Sequence, residues 1–211
     1  MIENYIREIA LLIFPVLVAV VFHELAHGYV AYLCGDPTAK NAGRLTLNPL
    51  KHLDPIGTIV FLVTRMIGWA KPVPINPLYF RNYRRDLVFV SVAGPFTNFL
   101  IAFVAGIVLK ILYGVHVNNA FIYYKILLPL AIILKFTVQI NIALCFFNLL
   151  PIPPLDGSKI LMAILPENLN RYYSYLEPFG FVIILILLFT NILDKILIPL
   201  IYTFTNLLTW G

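Results

Sequence analysis

Long apolar blocks limit what this chain can fold into more than any other feature. Ile9 to Leu33, Leu87 to Tyr113, Ala120 to Leu150 and Phe179 to Leu208 reach or approach the length needed to cross a hydrocarbon core, which takes about 20 residues as a helix. In lipid every backbone polar group must find a partner inside the protein, so spans of this kind are helical. Hydrophobic residues make up 61% of the chain and charged residues only 12%, against about 25% charged in an ordinary soluble domain. The expected architecture is an all-α polytopic membrane protein. It would be a helical bundle of about four to six spans, forming a single membrane-embedded domain over residues 1–211 with no room for an added soluble one. Asp194 and Lys195 interrupt the last block, which reads equally as one long span or two shorter pieces.

The segment between the first two blocks is of a different kind. Cys34-Gly35-Asp36-Pro37 stops the first span, and Gly43 to Pro49 reads as a short strand-like piece. Ile56 to Ile67 is apolar but too short to cross, which suggests a re-entrant or interfacial element. Lys71-Pro72-Val73-Pro74-Ile75-Asn76-Pro77 should be rigid and extended, because proline fixes φ and biases its predecessor away from helix. Lys40, Arg44, Lys51, Arg65, Lys71, Arg81, Arg84 and Arg85 all fall here, whereas the turn at 114–119 has no Lys or Arg. Basic residues in short loops mark the cytoplasmic side, so 36–86 should face the cytoplasm and 114–119 the outside. This clustering also accounts for the net charge of +5 without nucleic acid. Neither Cys34 nor Cys145 belongs to a closely spaced pair, and both read as free thiols packed as small apolar groups.

The chemistry is concentrated in the first span. His23-Glu24-Leu25-Ala26-His27 is an H-E-x-x-H sequence. On a helix, residues four apart share a face, so both imidazoles can bind one metal ion while Glu24 stands beside it as a general base. Ionisable groups among Val, Leu, Phe and Ala in a span cost about 2.5–3.5 kcal/mol each, which implies partners or a function. A zinc site of this type takes three protein ligands and leaves one position open. Asp156, His52 and Asp54 are candidates for the third, whereas His116 lies on the opposite side.

With these residues in place the chain resembles the site-2 protease family of intramembrane zinc metalloproteases. The matching segments are His23-Glu24-Leu25-Ala26-His27 and Asn148-Leu149-Leu150-Pro151-Ile152-Pro153-Pro154-Leu155-Asp156-Gly157, with Ala93-Gly94-Pro95-x-x-Asn98 as a further likeness. Asn48 to Pro55 looks like a compact subgroup confined to the membrane core, without a PDZ or CBS domain. The resemblance implies one Zn2+ held by His23, His27 and Asp156, with Glu24 as the catalytic base. It also implies a substrate that is a membrane protein with a transmembrane segment, met within the bilayer. Asn148 and Asn98 are candidates for contacting substrate or oxyanion. His52 and Asp54 are candidates for supporting the metal from behind or as transient ligands, against the plainer reading of a loop histidine and an Asp-Pro turn. The expected location is the cytoplasmic membrane of a prokaryote, with the active site nearer the cytoplasmic face. A metal transporter, or a membrane metalloprotease acting on soluble peptides, are the alternatives.

Overall fold

A computed structural model of the chain describes residues 2–64 and 68–209, and all named regular elements are helical. Helix α1 (Ile2–Leu33) is followed by a short α2 (Thr38–Asn41), then α3 (Pro55–Thr64) and the long α4 (Tyr83–Tyr113). Next come α5 (Ala120–Ile122), a π-helical turn over Tyr123–Leu127 and α6 (Leu128–Asn148), which run on without a break. The chain closes with α7 (Asp156–Ile164), α8 (Glu167–Ser174), α9 (Gly180–Phe189) and α10 (Ile192–Thr209).

Five stretches among the described residues are long and apolar enough to span a membrane: Ala10–Leu33, Tyr83–Tyr113, Ala120–Asn148, Glu167–Phe189 and Ile192–Thr209. The protein is thus an integral multi-pass membrane protein. Its last apolar block divides into two at Thr190 and Asn191, where Asn191 takes a positive φ of 57°. Asparagine tolerates that left-handed conformation better than a branched residue would. Pro129 does not break the third span. A proline has no N–H for the carbonyl one turn back, and here the turn immediately before α6 widens into its π form.

Helix α4 lies at the centre and packs against α1, α6, α7 and α10. The contact with α6 and α10 is built on small residues. Ala102 and Ala105 join Val138 and Ile142 in a buried cluster, flanked by Phe99, Phe146, Phe204 and Leu208. Between membrane helices there is little hydrophobic driving force, so small residues that let backbones approach carry the packing. Gly106 makes one such close approach, since a Cβ there would lie 2.7 Å from the Leu208 carbonyl oxygen.

The segment between α1 and α4 leaves and returns at one place. Leu53 and Ala70 form an antiparallel bridge, and the Lys71 N–H donates to the His52 carbonyl at 2.9 Å. The intervening α3 has 10 residues and so extends only about 15 Å, roughly half of a hydrocarbon core. A helix too short to span lies where a re-entrant or interfacial element is expected, over 56–67, of which Arg65 to Ile67 lie outside the described residues. Residues 43–49 do not pair as a strand: Asn48 caps a 3-10 turn over Pro49–Lys51 instead.

Packing at Gly106 yields a stability prediction. Gly106→Ala should lower the melting temperature in detergent, by the equivalent of about 1–3 kcal/mol, because the opposing atom is backbone and cannot rotate away. Ile111→Ala, at a position 65% exposed on the same helix, should change it far less.

Candidate metal centre

Three buried side chains from two distant parts of the chain meet between α1, α4 and α7. His23 and His27 sit one turn apart on α1, and Asp156 is the first residue of α7. Their Nε2, Nε2 and Oδ2 atoms are mutually close: 3.0 Å between the two imidazoles, 3.0 Å from His27 to Asp156 and 3.2 Å from His23 to Asp156. Among the described residues this is the one group of His, Cys, Asp or Glu arranged to hold a metal ion.

The hydrogen bonds behind the rings fix which nitrogens face inward. His27 Nδ1 lies 2.7 Å from the Val90 carbonyl oxygen, which can only accept, so this nitrogen carries the proton. The same logic reaches His23 through two amides. Asn141 donates to the Thr137 carbonyl at 2.8 Å, which turns its own oxygen toward Asn98. Asn98 donates to that oxygen at 2.8 Å and to the Ala19 carbonyl at 3.1 Å. Its remaining oxygen then accepts from His23 Nδ1 at 2.5 Å. Both imidazoles therefore present Nε2 lone pairs to the carboxylate, as metal-ligating histidines do when their other nitrogen is tied.

Three acceptors at such distances repel unless a proton or a metal cation lies between them. Ligands about 2.0 Å from a tetrahedral zinc are roughly 3.3 Å apart, close to the separations seen. The N, N, O donor set suits zinc as well. Asp156 is primed for the role. Burial disfavours its charged form, and the Lys159 ammonium, 3.3 Å from Asp156 Oδ1, favours it. Its position at the first turn of α7 adds the favourable end of the helix dipole.

The loop that delivers Asp156 is shaped by glycines. A Cβ on Gly157 would come within 2.2 Å of the Leu149 carbonyl oxygen, and one on Gly180 within 2.1 Å of the Pro153 carbonyl oxygen. The loop is thus pressed between α7 and the start of α9. Leu155, Ile184 and Leu193 pin it from the α9–α10 side, with Leu150 and Ile152 packed against them. Gly94 serves the centre itself, because a Cβ there would lie 2.4 Å from His27 Nε2 and 2.6 Å from His23 Nε2.

The remaining sequence candidates separate by location. Glu24 is half-buried, and its Oε2 accepts from the Val73 N–H at 2.8 Å. Asn98 is fully buried with its amide hydrogens and oxygen engaged, so it holds His23 and offers no hydrogen to a substrate. Asn148, at the end of α6, donates back to the Leu144 carbonyl. His52 does not join the metal group. It is fully buried with Nε2 on the Thr46 carbonyl at 2.8 Å. Asp54 accepts from the Gly57 N–H at 2.8 Å and so caps α3. Their contacts are those of a loop histidine and an Asp-Pro helix start. His116 is exposed and far along the chain, on the 114–119 turn.

Three supporting groups go beyond the sequence candidates: the Asn141 amide, the Val90 carbonyl and the Val73 N–H. In the sequence Asn141 reads as span packing, although an Asn in an apolar span does signal a partner. The two backbone groups leave no mark in composition.

A model of peptidase family M50 matches residues 11–189. The chain belongs to that family. Among its relatives, "Putative zinc metalloprotease YwhC" of Bacillus subtilis is 41% identical over 90% of this chain and 84% of its own length. "Putative zinc metalloprotease Rip2" of Mycolicibacterium smegmatis is 27% identical over 95% of this chain and 75% of its own. "Zinc metalloprotease MJ0392" of Methanocaldococcus jannaschii is 29% identical over 80% of this chain and 37% of its own. No solved structure matches the chain. Zinc is the family's metal, and the His-His-Asp group is built to receive it.

Asn98 offers a test of the chain of amides behind His23. Asn98→Ala should weaken zinc affinity about 10- to 100-fold, the usual loss when a histidine ligand's supporting partner is removed. Competition against a chelator of known affinity measures it, and an unchanged affinity would remove Asn98 from that role.

Proposed function

We propose that this M50 metalloprotease is an intramembrane endopeptidase, cutting peptide bonds within or near transmembrane segments of membrane proteins. The observation that carries the reading is that His23 and His27, buried at 8% and 6% exposure, lie inside a candidate span. A site enclosed by spanning helices is placed to meet a substrate that is itself in the membrane. Membership of a peptidase family leaves the transporter alternative without support.

In this reading His23, His27 and Asp156 are the three protein ligands. Zinc, when bound there, polarises the scissile carbonyl and makes water a competent nucleophile near neutral pH. Asn98 and the Val90 carbonyl keep both rings turned inward through the cycle. Glu24 accepts the proton of the attacking water and can return it to the leaving amine. The half-buried carboxylate is held on one side by Val73, so its orientation is fixed before substrate arrives. A spanning helix hides its peptide bonds in its own hydrogen bonds, so the substrate must unwind locally to be cut. For Asn148 to contact an oxyanion, its N–H would have to leave Leu144.

The metal centre in this proposal lies nearer the cytoplasmic face. The arginine and lysine cluster of 36–86 follows the same end of α1 as His27. Cysteines introduced near Lys71 and Arg84 should therefore react with impermeant reagents only from the cytoplasmic side, and cysteines near Asn118 only from outside. The reverse pattern would invert the topology and leave the chemistry standing.

The mechanism is tested by Glu24→Gln, which keeps size and shape but removes basicity. Purified protein should hold about one zinc per chain, lost in His23→Ala, His27→Ala and Asp156→Ala. Glu24→Gln should keep its zinc and lose about 100- to 10,000-fold in turnover of a single-span substrate in liposomes. Near wild-type cleavage with zinc bound would move the proton acceptor elsewhere. Comparing membrane proteomes with wild-type and Glu24→Gln protein should reveal processed single-span proteins, whereas processing confined to soluble peptides would overturn the intramembrane reading.

A further inference from the structure

The extended segment Lys71 to Asn76 crosses α1 beside the H-E-x-x-H motif, and four contacts hold it there. The Lys71 N–H donates to the His52 carbonyl at 2.9 Å. Arg44, buried at 7% exposure, donates through Nη2 to the Lys71 carbonyl at 2.7 Å and the Pro72 carbonyl at 3.3 Å. At the other end the Asn76 N–H donates to the fully buried Asp36 carboxylate at 2.7 Å. In the middle the buried Val73 side chain rests on Gly28, where a Cβ would lie 2.9 Å from Val73 Cγ1. Any larger residue after His27 would force the Val73 and Leu45 side chains to shift.

Between these anchors lies one contact with the motif itself, the Val73 N–H on Glu24 Oε2 at 2.8 Å. Pro72 and Pro74 flank Val73, and neither has an N–H. The triplet therefore carries a single backbone donor, and that donor is aimed at the carboxylate. Hydrogen bonds to an ionised acceptor are among the stronger ones in proteins. A flexible Glu side chain fixed by one such bond loses most of its freedom to turn away from the metal centre.

We infer that the Pro72-Val73-Pro74 segment is a positioning element for Glu24, and that Arg44 acts through it by clamping the segment in place. The inference rests on Glu24 being the proton acceptor. Its function is geometric: one carboxylate oxygen is tied to Val73, which presets the other for water. Misplacement of a catalytic group by about 1 Å can cost on the order of 100-fold in rate, so loss of the tie should appear in kcat and leave KM and zinc content in place. A segment that only covered the site or bound substrate would shift KM instead.

The test uses full-length protein in liposomes with a single-span substrate and zinc measured on each preparation. Val73→Pro removes the N–H in a segment already suited to proline. It should lower kcat about 10- to 100-fold, with KM within about twofold and zinc at one per chain. Val73→Ala keeps the N–H and should recover most of the rate. Because Val73→Pro could disturb folding, a thermal cycle in detergent accompanies it. Val73→Pro should lower the melting temperature more in the wild-type background than in Glu24→Ala, since the two then share one interaction. Equal shifts in both backgrounds, or an unchanged kcat in a folded, zinc-loaded Val73→Pro protein, would overturn the inference. Equal loss of kcat in Val73→Ala would point to the side chain and overturn it too. If Glu24→Gln stayed active, the proton-acceptor reading would fall first; if Glu24→Gln were inactive and Val73→Pro active, this inference alone would fail.

Discussion

A backbone carbonyl inside a helix is an acceptor and nothing else, and the metal centre depends on that one-sidedness. Thr137 and Ala19 fix the orientation of two buried asparagines, and Val90 fixes a histidine directly. The result is a pair of imidazoles whose protonation is settled before any metal arrives. In water such amides would exchange partners freely. At zero exposure between α1, α4 and α6 each has a single set of partners, and a broken link would leave a polar group unsatisfied where no solvent can repair it.

The same dryness accounts for a third ligand that comes from a loop and helix end instead of a span. Asp156 needs to be charged, close to two imidazoles and still reachable by Lys159. The first turn of α7 supplies that, and the proline-rich approach over 149–155 brings it to the depth of His27. Gly157 and Gly180 remove the side chains that would hold the loop away. Irregular backbone is tolerated at such depth when it is enclosed by protein, here by the leucines and isoleucines of α9 and α10.

How much of this can be read from the sequence follows from which groups carry the information. The spans are legible because an unbroken apolar run of about 20 residues matches the thickness of a bilayer core. The H-E-x-x-H motif is legible because helical spacing converts directly into geometry. Asp156 is legible only through a motif match; nothing in its spacing from His27 ties the two together, since only the packing of α7 on α4 does so. His52 and Asp54 look equally chemical in the sequence, yet beside the Leu53–Ala70 bridge they hold the Thr46 carbonyl and the start of α3. The 43–49 piece looks strand-like, but with no neighbouring strand among the described residues it settles into the cap of a 3-10 turn. Val73 stands out only as part of a stiff linker, because what matters about it is an N–H that every non-proline residue owns.

The two ring supports also say something about how α1 and α4 can move. His23 is matched to Asn98 and His27 to Val90, so the helices run in opposite directions with two latches, about one turn apart on α1 and two turns apart on α4. A slide of α4 by a single residue, about 1.5 Å, would release both latches together and present the wrong nitrogens to the metal. The centre thus works as a caliper on helix register: a loaded site certifies that the first and second long spans are aligned to within one step.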